Sequence, residues 1–233
     1  MKSFEKPLRR GNEAVQLPDF VVQQERPEIY DADLTKKEKQ LKKEFNVTRN
    51  EARELVYYST VLDFSFGDFE HKKILDVGSG PGQFKAALKR IGSSAEVVNL
   101  DAMDLMGAPD VLGLAQELPF RPNTFDIVVA NSSVPILYAS HGHPEVIGVA
   151  LEEMVRVTDT HGLIKIFPAM VLESKDANAP RDRTLNAEVV RQIKRLHAQY
   201  PELTFTVVAI KRETSDDKSK SYFMNDGLLV IRK

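Results

Sequence analysis

The residues best suited to chemistry stand in one short run, Asp76-Val-Gly78-Ser79-Gly80-Pro-Gly82-Gln83, directly after the apolar stretch Ile74-Leu75. Glycines at every second position let a backbone approach a ligand closely. A helix that begins straight after such a turn presents free N–H groups. The spacing departs from a dinucleotide fingerprint, Gly-x-Gly-x-x-Gly, because Gln83 stands where the third glycine would be, and the Gly-Lys-Ser/Thr of a phosphate-binding loop is missing. Asp76, just ahead of the glycines, would repel a pyrophosphate. A carboxylate there suits a ligand carrying a cation, such as the ammonium of an amino acid. Asp101 closes the next apolar run, Glu96-Val-Val-Asn-Leu, 25 positions after Asp76. Its two acceptor oxygens match a cis-diol.

Asp-x-Gly-x-Gly-x-Gly after an apolar strand resembles the first motif of the class I S-adenosylmethionine-dependent methyltransferases. The likeness continues in order along the chain. Leu118-Pro-Phe120 followed by Phe125-Asp126-Ile-Val is similar to a stretch of the branch called methyltransferase type 11, and Leu151-Glu-Glu-Met-Val-Arg156-Val leading to Gly162-Leu-Ile-Lys-Ile resembles that branch's helix, glycine turn and fifth strand. The matching motifs span about residues 72–168.

The resemblance implies S-adenosylmethionine as cofactor, S-adenosylhomocysteine as product, and in-line methyl transfer to an O, N or C nucleophile of a small-molecule acceptor. It places Asp76, Gly78, Ser79, Gly80 and Gly82 around the cofactor, Asp101 on the ribose hydroxyls with Ala102 and Met103 beside it, and Asn131 and Ser132 at the end of the fourth core strand. Leu114 stands where the family usually has an acid that accepts from the adenine amino group. Backbone groups of Leu114 and Ala115 and apolar contact from Met103 and Leu118 are then expected to hold the adenine, at a cost of about 1 kcal/mol for the lost hydrogen bond. Leu114 also motivates an alternative, a non-catalytic or decayed fold acting as a cofactor-binding module or partner scaffold. A further alternative is an RNA or protein methyltransferase docking through the lysine-rich segment Lys36–Lys43.

His141 and His143, in the segment Tyr138-Ala-Ser-His-Gly-His-Pro-Glu, are the candidate catalytic residues, since imidazole titrates near neutral pH and can serve as a general base. A His-x-His pair can hold metal, but no third ligand converges on it in the sequence, so no metal is expected. The chain has no cysteine, which excludes disulfides, thiolate catalysis and the cysteine nucleophile of cytosine C5 methylation. Asn131-Ser-Ser-Val is not the Asn/Asp-Pro-Pro-aromatic motif of enzymes that methylate exocyclic base amines.

These residues need a scaffold. From residue 72 on, short β-branched runs alternate with helical segments. The strands are expected at 73–77, 95–100, 110–112, 125–130, 162–167, 205–211 and 227–231, and helices at 82–91, 144–157 and 185–200. That pattern predicts an α/β, Rossmann-like, seven-stranded, mostly parallel sheet with helices on both faces and an antiparallel C-terminal hairpin. Before it, residues 1–33 carry Pro7, Pro18 and Pro27 and read as an extended or partly disordered arm, a candidate surface for a homodimer. Residues 34–71 read as a helical lid, with one helix starting at Asp33 and another capped by Thr48 with Glu51 three residues later. Tyr57 and Tyr58, at the end of the second helix, are placed either over the cofactor's methionine end or in the core.

The 233 residues include 32 Lys and Arg against 34 Asp and Glu, a formal net charge of −2. So balanced a chain has no general field for nucleic acid, which counts against that class of partner. No apolar stretch approaches the ~20 residues of a membrane span, and the start shows no secretory signal, so the default expectation is a cytoplasmic protein without a membrane partner.

Overall fold

The computed structural model describes residues 15–104, 109–173, 180–215 and 221–233. One sheet of eight strands organises it: β1 (Val22–Glu25), β2 (Lys73–Val77), β3 (Glu96–Asp101), β4 (Val111–Leu112), β5 (Phe125–Asn131), β6 (Thr158–Glu173), β7 (Thr204–Ser215) and β8 (Ser221–Arg232), in the spatial order β1-β7-β8-β6-β5-β2-β3-β4. β8 runs antiparallel to both of its neighbours, and the other pairs are parallel. The expected seven strands are present and the count is eight. The extra strand comes from the arm, where Val22 to Glu25 pair in parallel register with Thr206 to Ala209. All four β1 side chains are exposed, so the ladder there is held by backbone groups, which need no apolar pattern. The hairpin strands extend beyond the expected runs for the same reason, with backbone pairing continuing to Ser215 and Ser221.

Helices cover both faces. On one lie α1 (Asp31–Phe45), α2 (Arg49–Val56), a π-helical turn (Tyr57–Val61), a 3-10 turn (Phe66–Phe69) and α3 (Gln83–Arg90). On the other lie α4 (Ile136–Ser140), α5 (Val146–Val157) and α6 (Pro180–Gln199). The first layer packs Leu34, Leu41, Ala52, Leu55, Tyr58, Phe84 and Leu88 onto Ile74, Val129 and Ile210, and the second packs Ile147, Leu151, Met154, Val189 and Ile193 onto Leu75, Val128 and Ile164. Successive strand residues thus feed opposite cores, which is why the central strands are apolar throughout.

Local signals act where expected, with one shift. Thr48 and Glu51 form a reciprocal capping box at α2. α1 begins at Asp31 rather than after Asp33. Both acids sit in its first turn, where they face the positive end of the helix, and Tyr30 occupies the cap position with its hydroxyl turned to Glu28. Buried Lys165 of β6 fastens the turn after the π-helical segment to the sheet. Its Nζ donates to the carbonyls of Leu62 (2.6 Å) and Asp63 (2.8 Å) and lies 3.9 Å from the Phe64 ring centroid. Burial, which outweighs the nearby Asp63 charge, pulls its pKa down to about 8.

Candidate active site

β2 ends at the centre of the sheet, and the chain must turn at once into α3. Gly78, Gly80 and Gly82 do this with φ of 73°, 52° and 67°, in the left-handed region. Two of these positions show why a larger residue fails or leaves room. A Cβ on Gly78 would stand 2.3 Å from the Cβ of Ser133, whereas a Cβ on Gly80 would meet nothing within 4 Å. The first glycine lets two strand ends close on each other, and the second leaves open space above the loop. The amides of Gly78 and Ser79 donate to Leu100 O at 2.8 and 3.1 Å, tying the loop to the end of β3.

A cleft of ≈ 370 Å³ opens at this carboxyl edge, lined by Arg53, Glu54, Tyr57, Tyr58, Asp76, Gly78, Ser79, Gly80, Pro81, Gln83, Phe84, Asn131 and Ser132. Asp76 lies at its foot, 3% exposed, and its Oδ1 accepts from the Tyr58 hydroxyl at 2.9 Å. Tyr58 is itself buried and stacks on Phe84 with centroids 3.6 Å apart. Burial raises the Asp76 carboxyl to about 7. The Tyr58 bond opposes the shift, and the charges of Glu54 and Asp101 add to it. Burial raises Glu54 as well, against the nearby Arg53.

Asp101 stands behind the loop. Its Oδ2 accepts from the Gly80 amide at 2.8 Å and its Oδ1 from the Met103 amide at 3.0 Å. The carboxylate fixes the glycine loop and the turn after β3, and each oxygen keeps a second lone pair. The β4 segment adjoins it, with the Gly113 amide donating to Asp101 O at 2.9 Å.

Asp76, Gly78, Ser79, Gly80, Asn131 and Ser132 are therefore gathered around one cleft. Gly82 is buried at the start of α3. Ala102, Met103, Leu114 and Ala115 lie beyond the enclosed part, on the β3–β4 side; Met103 and Leu114 are exposed and Ala115 is buried. Leu118, expected against adenine, packs in the core instead. Arg156 donates to Leu118 O and Phe120 O, while Glu153, held by the same Arg156, accepts from the Leu118 amide at 2.9 Å. The Leu114 carbonyl accepts from the Glu117 amide in a turn.

His141 and His143 do not line the cleft. They sit exposed at the end of α4 and in the loop after it, where His141 Nδ1 is 2.8 Å from Leu137 O and His143 Nδ1 is 3.2 Å from Glu145 Oε1. Among the described residues, no group of three His, Asp or Glu side chains is placed to hold a metal ion. The residues that sequence reasoning missed are Arg53 and Glu54. They stand between buried Ala52 and Leu55 on a short amphipathic helix, and only the helix's packing turns them toward the glycine loop. The signal available was the pair Tyr57–Tyr58 just beyond, both of which line the cleft, Tyr58 from a buried position.

Residues 75–166 match the model of a methyltransferase domain, the type 11 family. The matched stretch runs from β2 into β6 and contains the glycine loop, Asp76 and Asp101. Comparison with curated proteins gives no match. Among solved structures the chain is similar to an S-adenosylmethionine-dependent methyltransferase from Methanosarcina mazei, with 14% identity over 72% of this chain and 95% of the other and a TM-score of 0.48. It is also similar to a putative one from Methanococcus maripaludis (16%, 87% and 90%, 0.41) and to one from Aquifex aeolicus (18%, 83% and 97%, 0.43).

S-adenosylmethionine, the cofactor that the matched family implies, fits the groups present. An ammonium and a sulfonium are cations, and the cleft presents the carboxyls of Asp76 and Glu54. The open space over Gly80 is where a close approach to backbone is possible, and the Ser79 hydroxyl oxygen is buried there without a partner.

Proposed function

We propose that this protein binds S-adenosylmethionine in the cleft at the end of β2 and transfers its methyl group to a small-molecule acceptor. The observation that carries this reading is the pair of carboxyls, Asp76 and Glu54, lining one cleft with the glycine loop Gly78-Ser79-Gly80. A cleft so built disfavours the phosphates of a nucleotide and favours a cationic ligand.

When bound, the cofactor supplies a methyl group already made electrophilic by its sulfonium. The chain's own residues then have little covalent work. Asp76, held in place by Tyr58, accepts a hydrogen bond from the ligand's ammonium. Asp101 keeps the glycine loop in shape and offers its remaining lone pairs to the ribose. Tyr57, Asn131 and Ser132 bound the side from which an acceptor comes. Catalysis on this plan is chiefly alignment of two bound partners. A second cavity of ≈ 570 Å³, of the size usual for small ligands, adjoins the first through Arg53 and Tyr57 and supports a small acceptor over a macromolecule.

Titration calorimetry with S-adenosylmethionine and S-adenosylhomocysteine tests the reading. One equivalent is expected to bind, and absence of binding by both would overturn it in favour of a scaffold role. Asp101→Ala, which removes the acceptor of two loop amides as well as the diol contact, is expected to weaken S-adenosylhomocysteine by about 1–3 kcal/mol. Unchanged affinity would remove Asp101 from the site.

A further inference from the structure

The second cavity lies between α1 and α2, with β7 as its floor. Its walls carry charge of both signs, arranged by position. α2 presents Arg49 and, one turn on, Arg53, so both guanidiniums lie on one helix face. From the sheet comes Arg212, largely buried, which donates to the Tyr57 hydroxyl and stands 3.9 Å from the carboxylate of buried Asp226. The Arg212 Nε is buried without a hydrogen-bond partner. Across from them α1 contributes Asp31 and Glu38.

Two features point to a ligand. First, the opposed charges do not neutralise each other. Among the described residues Asp31, Glu38, Arg49 and Arg53 make no ion pair, although they line one cavity. Second, the cationic wall leads inward. Arg53 and Tyr57 belong to both cavities, so an anion held by the arginines would stand beside the cofactor cleft. The cofactor cleft itself is acidic around Asp76 and Glu54, so an anionic group would be kept out of it and held at the boundary.

We propose that the acceptor is a small molecule carrying a carboxylate or phosphate, anchored in the α1–α2–β7 cavity by Arg49, Arg53 and Arg212, with its nucleophile passing Tyr57 toward the cofactor. This rests on the methyltransferase reading above and adds the chemical class of the acceptor. The anionic group is the handle and not the atom methylated, because Arg49 and Arg212 line only the second cavity and hold it away from the glycine loop. The transfer itself is a balanced displacement: the methyl–sulfur bond breaks as the bond from methyl to the acceptor's nucleophile forms, the sulfur keeps the electron pair as a neutral thioether, and any proton on the nucleophile passes to solvent.

The test uses the full chain, S-adenosylmethionine labelled on its methyl group, and the ultrafiltered small-molecule fraction of source-cell extract. Labelled product is expected to be retained on an anion exchanger. Arg49→Gln, which touches only the second cavity, is expected to raise the apparent KM for that acceptor fraction ~10-fold while S-adenosylhomocysteine affinity stays unchanged, and Arg49→Lys to restore part of the loss. Arg53→Gln is expected to act at least as strongly. Label appearing only in product that passes through the exchanger, only in macromolecules, or in no product at all would overturn the anionic acceptor while leaving cofactor binding intact. Failure to bind S-adenosylhomocysteine would overturn both readings, and calorimetry separates that case from the others.

Discussion

The two flanks of the cleft are built by different means. On the β2–β3 flank nearly every group is fixed by backbone or by a buried partner: Gly78 and Ser79 by Leu100 O, Gly80 and Met103 by Asp101, Asp76 by Tyr58. On the α4 flank the titratable residues His141 and His143 are exposed, with Nδ1 of the first near Leu137 O and Nδ1 of the second near Glu145. The difference teaches where precision is invested. The flank that carries the glycine loop is tied down bond by bond, and the α4 flank carries its titratable side chains on a short helix and a loop.

The sharpest way to break the rigid flank is Gly78→Ala. The added methyl would overlap Ser133 and force a non-glycine residue to φ 73°. A loss of about 3 kcal/mol or more in unfolding free energy is expected by chemical denaturation. Adding Ser133→Gly removes the overlapping atoms and is expected to recover part of that loss. Equal stability of the single variant and the parent would show the loop to be softer than its geometry implies.

A smaller effect comes from pH. The folded value of Asp76, about 7, lies above its ordinary value of 3.8 because burial disfavours the charge. The folded protein therefore holds this proton more tightly than the unfolded chain does. The stabilisation is complete below about pH 4, is lost as pH rises toward 7, and is absent above it. A ligand ammonium reverses the preference. S-adenosylhomocysteine affinity is thus expected to fall as pH drops below about 7, approaching tenfold per unit, with proton release seen when calorimetry is repeated in buffers of different ionisation enthalpy. In Asp76→Asn both dependences should vanish, and the ligand-free variant should melt higher than the parent above pH 7.

The smallest effects are expected on the opposite flank. His141→Gln and His143→Gln should each change stability by no more than about 0.5 kcal/mol and leave S-adenosylhomocysteine affinity unaltered. A collapse of kcat in either, with binding intact, would mean that the α4 flank closes over the cleft when an acceptor is present.

What was legible in the sequence follows the same division. The glycine loop, Asp76, Asp101 and the Thr48–Glu51 cap are local devices whose residue types dictate a conformation, and their placement matches the pattern. Strand β1 was not legible as a strand, because a fully exposed four-residue edge, Val22 to Glu25, has no alternation to read. Leu118 looked like a ligand contact because its motif is sequential, but Arg156 and Glu153 reach back from α5 and turn it into the core. The contributions of Glu54 and Arg53 depend on how α2 is rotated against α3, a tertiary outcome that short-range spacing does not encode.

The parallel pairing of β1 with β7 bears on how the helical segment can move. α1 and α2 are joined at one end to β1 and at the other to β2. In the sheet those two strands are five spacings apart, about 24 Å at about 4.8 Å each. The segment is a strap buckled at both ends and not a flap on a single hinge. Loosening it requires unzipping a four-residue ladder at the sheet's edge, so amide exchange at Val22 to Glu25 becomes a direct gauge of how often the two cavities beneath the strap are opened to solvent.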